Sequence, residues 1–324
     1  IFITNMKHFK NILYVVETNV NQDNALARAV ALAETNQAQL TVLEVIPRLS
    51  MTFKMQEGDI VDELINRQHQ HYLQQLIAPY VARLTIDTRL LVGSTYLEVI
   101  RAVLSQHYDL VIKAAENPDF LERLFGATDM HLLRKCPCPL WLISPLEQYK
   151  HSQQNIMAAI DFDPIDFVET EQTFNHQILD IAASIALADL SSLHIVHAWQ
   201  AVAESLVSTW AEKSQTRLHD YIEQERLVHQ QGLDALAMGL RQRITQEVYD
   251  YLVPKCHLVK GDARKLIPAL SHNLAIDLVV MGSVARTGIT GFIIGNTAET
   301  ILEQLQCSVL VLKPQGFVSP VTLE

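Results

Sequence analysis

The chain has 324 residues, room for two domains of ordinary size, and its 49% hydrophobic and 19% charged content suits packed domains and excludes a disordered chain. Formal net charge is −11, from 36 acidic and 25 basic residues with no basic run, so no nucleic-acid partner is expected. Four cysteines exclude a disulfide scaffold. No run of about 18 uninterrupted apolar residues exists to suggest a membrane span. The first residues also lack the apolar core of a secretory signal, which leaves the cytoplasm as the default compartment. A natural start at Met6 would make the five residues before it an addition.

In chain order, the sequence says one thing twice. "ILYVVETNVNQDNALARAVALAE", 12–34, has the pattern of "IMAAIDFDPIDFVETEQTFNHQILDIAASIALA", 156–188. "DLVIKAAENPDFLERLFGATDMHLLRKCPCPLWLISP", 109–145, matches "DLVVMGSVARTGITGFIIGNTAETILEQLQCSVLVLKP", 277–314, almost position by position with one gap. Asp109 meets Asp277, Gly126 meets Gly295, Thr128 meets Thr297, Cys138 meets Cys307 and Pro145 meets Pro314. The expected units are 6–145 and 155–314, with a polar linker at 146–154 and a tail at 315–324.

Each copy alternates short β-rich runs with helical patterns. In the second, the run from Ile156 ends in Asp161, and Phe174, Ile178, Ile181 and Ile185 follow at i, i+4, i+7 and i+11, one buried helical stripe. "LHIVHAW" is the next strand, a long helical region spans about 205–251, and "KCHLV", a helix with Ile267, Leu270 and Leu274, and "LVVM" come after it. A helix over 297–305 and the strand "SVLVL" complete the unit. Strand–helix alternation with right-handed crossovers gives a parallel sheet covered on both faces. The fold class is therefore α/β, two tandem five-stranded parallel-sheet units.

Four of the chain's eleven glycines fall in "MGSVARTGITGFIIGNTAE", 281–299. In such a sheet, ligands sit beyond the carboxyl ends of the strands, where strand order reverses. Gly282 ends a strand and Gly295 precedes a helix. Asn296 and Glu299 read as a helix-start pair, Asn296 capping and Glu299 reaching back. A helix start offers free N–H groups and the positive end of the macrodipole, which suits phosphate. The spacing from Gly282 through Ala285 to Gly295 resembles the G-x2-G-x9-G-[ST] loop of the universal stress protein family, and the two-copy build resembles its tandem members over nearly the whole chain.

That resemblance implies a Rossmann-like unit, related to the adenine nucleotide alpha hydrolases, serving stress tolerance in bacterial cytoplasm. It also implies that the last strands of the two units, Leu140–Ile143 and Ser308–Leu312, pair edge to edge within the chain and cover each other's open edges. It implies ATP or a related adenine nucleotide, with Mg2+ as a companion, bound in the second copy as a regulatory ligand. Asp161 becomes the nucleoside contact and Ala198 the strand-two position. Met281, Gly282, Ala285, Arg286, Gly295, Asn296 and Thr297 become the loop contacts. Two positions depart from the motif: Ala285 stands for the second glycine and Asn296 for the terminal Ser/Thr, with Thr297 next to it as a substitute hydroxyl. Arg286 is the one cation placed in the loop to offset phosphate charge. In the first copy Ala114 replaces the first glycine, Asn117 falls near the second, and Glu116, Asp119 and Glu122 put carboxylates where phosphate would lie. Glu17 takes the strand-one aspartate position. That copy is expected to keep the fold without the nucleotide.

Other polar positions read structurally. Cys136-Pro-Cys138 lacks the second ligand pair a zinc site wants, and Cys307 occupies the matching place alone. His69 and His71, at i and i+2 on a helix, point apart on a solvated face. His194 and His197 project to opposite faces of a strand. Gly288 and Gly291 lie within the loop, and the tail, with Phe317, Val318, Val321 and Leu323, is apolar enough to pack on the other copy. No catalytic residue or metal site is assigned. Three functions stay open: nucleotide-binding module, slow ATP hydrolase at the same loop, and nucleotide-independent scaffold or carrier of an apolar small molecule. A homodimer beyond the internal pseudo-dimer is a further option.

Overall fold

In the computed structural model the described residues are 9–48, 59–116, 125–144, 155–164, 169–201, 204, 215–283 and 294–323. The first copy runs β1 (Asn11–Val15), α1 (Asp23–Asn36), β2 (Gln39–Ile46), α2 (Asp59–Ile77), β3 (Ile86–Val92), α3 (Thr95–Gln106), β4 (Leu110–Ala114), α4 (Ala127–Lys135) and β5 (Leu140–Ile143). The second runs β6 (Asn155–Ala159), α5 (Glu169–Asp189), β7 (Ser192–Trp199), α6 (Gln215–Arg243), α7 (Gln246–Leu252), β8 (Lys255–Lys260), α8 (Ala263–Asn273), β9 (Leu278–Gly282), α9 (Asn296–Gln304) and β10 (Ser308–Leu312). The expected long helix is broken at Thr245, whose Oγ1 accepts from the Val248 N–H at 3.3 Å and starts α7. Residues 205–214 and the linker lie outside the described residues.

All ten strands form one sheet in the order β3-β2-β1-β4-β5-β10-β9-β6-β7-β8. Within each copy the pairing is parallel, because every connection is a crossover; β5 and β10 meet antiparallel, Leu310 opposite Trp141 and Val309 opposite Leu142. The expected pairing of last strands is therefore present, and it extends one sheet through the whole molecule. Both central strands are buried along their length, as a sheet covered on two faces requires. The outer strands β3 and β8 carry Asp87, Arg89, Lys255 and Lys260, charges that discourage a further strand from adding.

Alternation along the strands sorts the apolar residues into two layers. Ile12, Tyr14, Trp141, Ile156, Ile195 and Leu310 face α1, α2, α5 and α6, while Leu13, Val15, Met157, Val196, Val279 and Val309 face α3, α4, α8 and α9. Bridges tie the copies beyond the strands. Arg28 of α1 forks onto Asp189 of α5 at 2.7 and 2.6 Å, and the Arg134 guanidinium of α4 pairs with Glu299 of α9. The tail does pack on the first copy: Ser319 Oγ donates to the Lys135 carbonyl at 2.7 Å, and Val321 lies against the second apolar layer.

Trp141 is fully buried on β5 with the Arg28 guanidinium 5.9 Å over its ring. Trp141→Ala is expected to cost about 3–5 kcal/mol, the range for deleting a buried aromatic. The urea midpoint at unchanged m-value checks this.

Candidate functional site

Sheet order reverses between β6 and β9, which are neighbours although the chain visits β7 and β8 between them. The helix after β6 covers one face and the helix after β9 the other, so their diverging starts leave a crevice at the strands' carboxyl ends. A pocket lies there, lined by Asp161, Glu171, Phe174, Asn175, Ala198, Met281, Gly282 and Thr297, with Ile160, Ile178, Ile267 and Ile301 among its apolar walls. Of the nine residues expected to contact a ligand, Asp161, Ala198, Met281, Gly282 and Thr297 line this pocket. Gly295 and Asn296 are not part of its lining; they immediately precede Thr297 at the start of α9. Ala285, Arg286, Gly288 and Gly291 lie outside the described residues.

Each wall has a local cause. Gly282 is glycine because the Phe174 ring lies against it: a Cβ there would come within 2.5 Å of Phe174 Cε1. The Asp161 backbone is held by Asn175, whose Nδ2 donates to the Asp161 carbonyl at 2.7 Å and whose Oδ1 accepts from the Asp161 N–H at 3.4 Å. Asn175 is buried, and sequence reasoning passed over it; the signal was an amide set between Phe174 and Ile178 on an otherwise apolar stripe. Glu171, in the first turn of α5, was also missed.

The helix start differs from the expectation. Gly295 is the N-cap, its N–H donating to the Ser283 carbonyl at 2.9 Å, and Asn296 is the first helical residue. No side chain caps α9 among the described residues. Glu299 does not reach back, because its carboxylate is engaged by Arg134. The first-turn N–H groups of α9 thus face the pocket rim without a carboxylate from their own helix.

The equivalent cradle in the first copy is filled by its own side chains. Glu116 folds onto Gly126, where a Cβ would come within 1.8 Å of its Oε2, and that oxygen accepts from the Thr128 N–H at 3.3 Å. A carboxylate thus sits where α4 would greet an anion. Lys113, wholly buried, reaches Glu17 and Asp129 at 2.9 Å each and Glu116 at 3.8 Å. Burial works against its charge, but the three carboxylates outweigh that and raise its pKa. Asp129 is buried enough that desolvation lifts it to about 6 despite Lys113. Asn117, Asp119 and Glu122 lie outside the described residues.

The histidines divide as the strand pattern requires. His194 meets His257 at 3.0 Å on one face of β7; His197 meets His229 at 2.9 Å on the other and stacks on Phe162. His197 Nδ1 lies 3.3 Å from the Ile160 carbonyl, which can only accept, so that nitrogen carries the proton and Nε2 accepts from His229. Desolvation holds His197 at about 4, so it is neutral at pH 7. His69 is less solvated than its pattern suggests: its Nδ1 is 2.7 Å from Glu44 Oε1, a buried carboxylate, while His71 stays on the exposed face.

Lys113→Met leaves Asp129 buried without its cation and is expected to cost about 3–5 kcal/mol. Lys113→Met with Asp129→Ala, which copies Met281 and Ala298 of the second half, is expected to recover most of that loss in urea unfolding. For His197 the folded pKa lies below the unfolded one, so the unfolded chain takes up the proton first and stability falls as pH drops from about 6.5 to about 4. His197→Phe is expected to flatten that part of a stability–pH curve.

Residues 8–144 and 154–313 each match the Universal stress protein family. The chain is 26% identical over 331 residues to Universal stress protein E of Escherichia coli K12, covering 98% of each chain. It is 26% identical over 318 residues to the Universal stress protein E homolog of Haemophilus influenzae, covering 94% of this chain and 98% of that one. A putative universal stress protein from Pseudomonas aeruginosa shares the fold at a TM-score of 0.64 and 24% identity, covering 96% of this chain and 95% of that one. With two family matches in sequence, one per half of a single ten-stranded sheet, this chain belongs to the universal stress protein family as a tandem member.

Proposed function

We propose that the second copy binds an adenine nucleotide, ATP or a close relative, as a regulatory ligand in cytoplasmic stress tolerance, and that the first copy does not. The contrast at the two helix starts carries this reading. In the first copy a carboxylate, Glu116, occupies the anion position; the matching residue in the second is Val284, which can supply no charge. The apolar walls around Ile160, Ile178 and Met281 suit the faces of a purine. Asp161 accepts from ribose hydroxyls, held in place by Asn175. The phosphates extend toward the first turn of α9, where Thr297 adds a hydroxyl; Arg286 is the cation that the loop sequence offers them. Mg2+ would be held mainly through phosphate oxygens, with Asp161 and Glu171 the carboxylates lining the pocket, because no cluster of three acidic, histidine or cysteine ligands exists among the described residues.

Calorimetric titration with ATP tests the proposal. Wild-type protein is expected to release binding heat. Asp161→Ala, which removes a charge-assisted hydrogen bond, is expected to weaken affinity by about tenfold or more. Gly282→Leu, whose side chain collides with Phe174, is expected to abolish binding. Absence of heat at millimolar ATP overturns the proposal. Because the walls also suit an apolar carrier's cargo, native mass spectrometry of freshly purified protein separates the readings by weighing whatever remains bound.

A further inference from the structure

Cys136 and Cys138 flank Pro137 in the short turn between α4 and β5, with their sulfurs 3.6 Å apart. Cys136 is fully buried, whereas Cys138 lines an open cavity with Pro137, Pro139, Lys313 and Phe317. That cavity holds about 510 Å³, against roughly 10–15 Å³ for one water on the same measure, so a small polar molecule has room beside Cys138. Lys313, just past the end of β10, is itself buried; its Nζ donates to the Leu133 carbonyl and lies 4.7 Å over the Phe317 ring. It makes no ion pair among the described residues, and Asp109, the carboxylate of the same cavity, is taken by the N–H groups of Lys10 and Asn11 at 2.7 and 3.0 Å.

We propose that Cys136 and Cys138, beside Lys313, form a dithiol site that a small hydroperoxide oxidises to a disulfide at the start of β5. The fold does not demand this pair, because the positions matching Cys136 and Cys138 in the second copy are Leu305 and Cys307. A buried ammonium without a carboxylate partner favours a nearby thiolate over a thiol. The hydrogen bond from Cys138 lowers the Cys136 pKa, with the Lys313 charge assisting, while the same bond and burial raise the Cys138 thiol, so the two sulfurs hold one proton between them. Burial pulls Lys313 down to about 8, while the two sulfurs oppose the pull. Two extended residues span at most about 7 Å between Cα atoms, at the edge of the range a disulfide bridges, and the sulfurs must close by about 1.5 Å to bond.

The chemistry balances. The dithiol loses one proton, and the thiolate sulfur attacks the terminal oxygen of the peroxide. The O–O bond breaks, hydroxide leaves and is protonated to water, and a sulfenic acid remains. The second sulfur then attacks the sulfenic sulfur; the S–O bond breaks, the S–S bond forms, and hydroxide departs with the thiol proton as a second water. Two thiols and one hydrogen peroxide give one disulfide and two waters.

The test uses the full chain treated with a small excess of hydrogen peroxide, then alkylated, digested with trypsin and weighed. Cleavage after Lys135 and Lys150 places both cysteines in one peptide, residues 136–150. That peptide is expected to lose about 2 Da and both alkylation sites about tenfold faster than exposed Cys256 loses its thiol. Cys136→Ser is expected to leave on Cys138, the sulfur at the cavity wall, a sulfenic acid that dimedone traps. Lys313→Gln is expected to slow the wild-type reaction about tenfold, the effect of one lost charge contact near 1.4 kcal/mol. A 136–150 peptide that stays a dithiol while Cys256 is consumed overturns the proposal, as does a product linked between chains. An unchanged rate in Lys313→Gln removes the lysine from it.

Discussion

Each copy of this α/β unit ends in a strand, β5 or β10, that is apolar on both faces and open along one edge. Left alone, such an edge is a template for any passing strand. Pairing the two antiparallel closes both edges at once, and nearly everything else follows from that choice of direction. Strands run parallel within each copy but opposite between copies, so the carboxyl ends of β1 and β4 point one way and those of β6 and β9 the other. The two cradles therefore open on opposite edges of the sheet and cannot share a ligand. Each had to be self-sufficient, and each was free to change alone. The same reversal brings Lys313, at the finish of β10, beside Cys136 and Cys138, at the approach to β5. No pattern within one copy foretells that meeting.

The cradles illustrate how a backbone site persists when its occupant changes. Both place a helix start behind a β-strand end, and a helix start favours negative charge whatever brings it. In the first copy the charge is covalently supplied by Glu116, and Lys113 balances it together with Glu17 and Asp129. Taking a lysine wholly out of water is costly, and only several close carboxylates make it tolerable. Met281 and Ala298 at the matching positions of the second copy carry no such burden. Among the described residues that cradle is apolar inside, with acidic groups at Asp161 and Glu171, and no carboxylate from its own helix lies at the helix start.

Much of this was legible in the sequence, for physical reasons. Period-two and helical patterns are local, and the duplicated Asp, Gly, Thr and Pro positions allowed one copy to check the other. Strand identity came from that agreement, while the β5–β10 join and the choice of Asp161, Ala198, Met281, Gly282 and Thr297, which line one pocket, came from the family resemblance. Partners set by packing were not legible. Asn296 looked like a cap, but Gly295 took that position and Arg134 of the other copy drew Glu299 away. His69 looked solvated until α2 was laid beside Glu44 of β2. Lys113 drew no reading from the sequence, since its balancing groups lie on three separate stretches of chain. Asn175 was the opposite case: its polarity within an apolar stripe was visible, and only the reason for it was not.

Helix α4 begins at the filled first cradle, presents Arg134 to Glu299 of α9, and ends at Cys136. It therefore touches the surroundings of both proposed sites, and the strength of any coupling between them can be bounded. The direct bridge is the Arg134–Glu299 pair, whose side chains are 37% and 24% exposed. Pairs this wet contribute at most about 1 kcal/mol. Transmitted without loss, that is roughly a fivefold change in nucleotide affinity between the dithiol and disulfide forms. A larger effect needs a second route, and β5 offers one, because it pairs with β10, which pairs with β9, whose last residue is Gly282. Those strands are buried and paired on both edges, so they resist small shifts and move only as a body. Oxidation at the turn before β5 would then either leave Gly282 where it is or displace the whole central sheet, a change that would appear as lost stability rather than as graded control of the pocket.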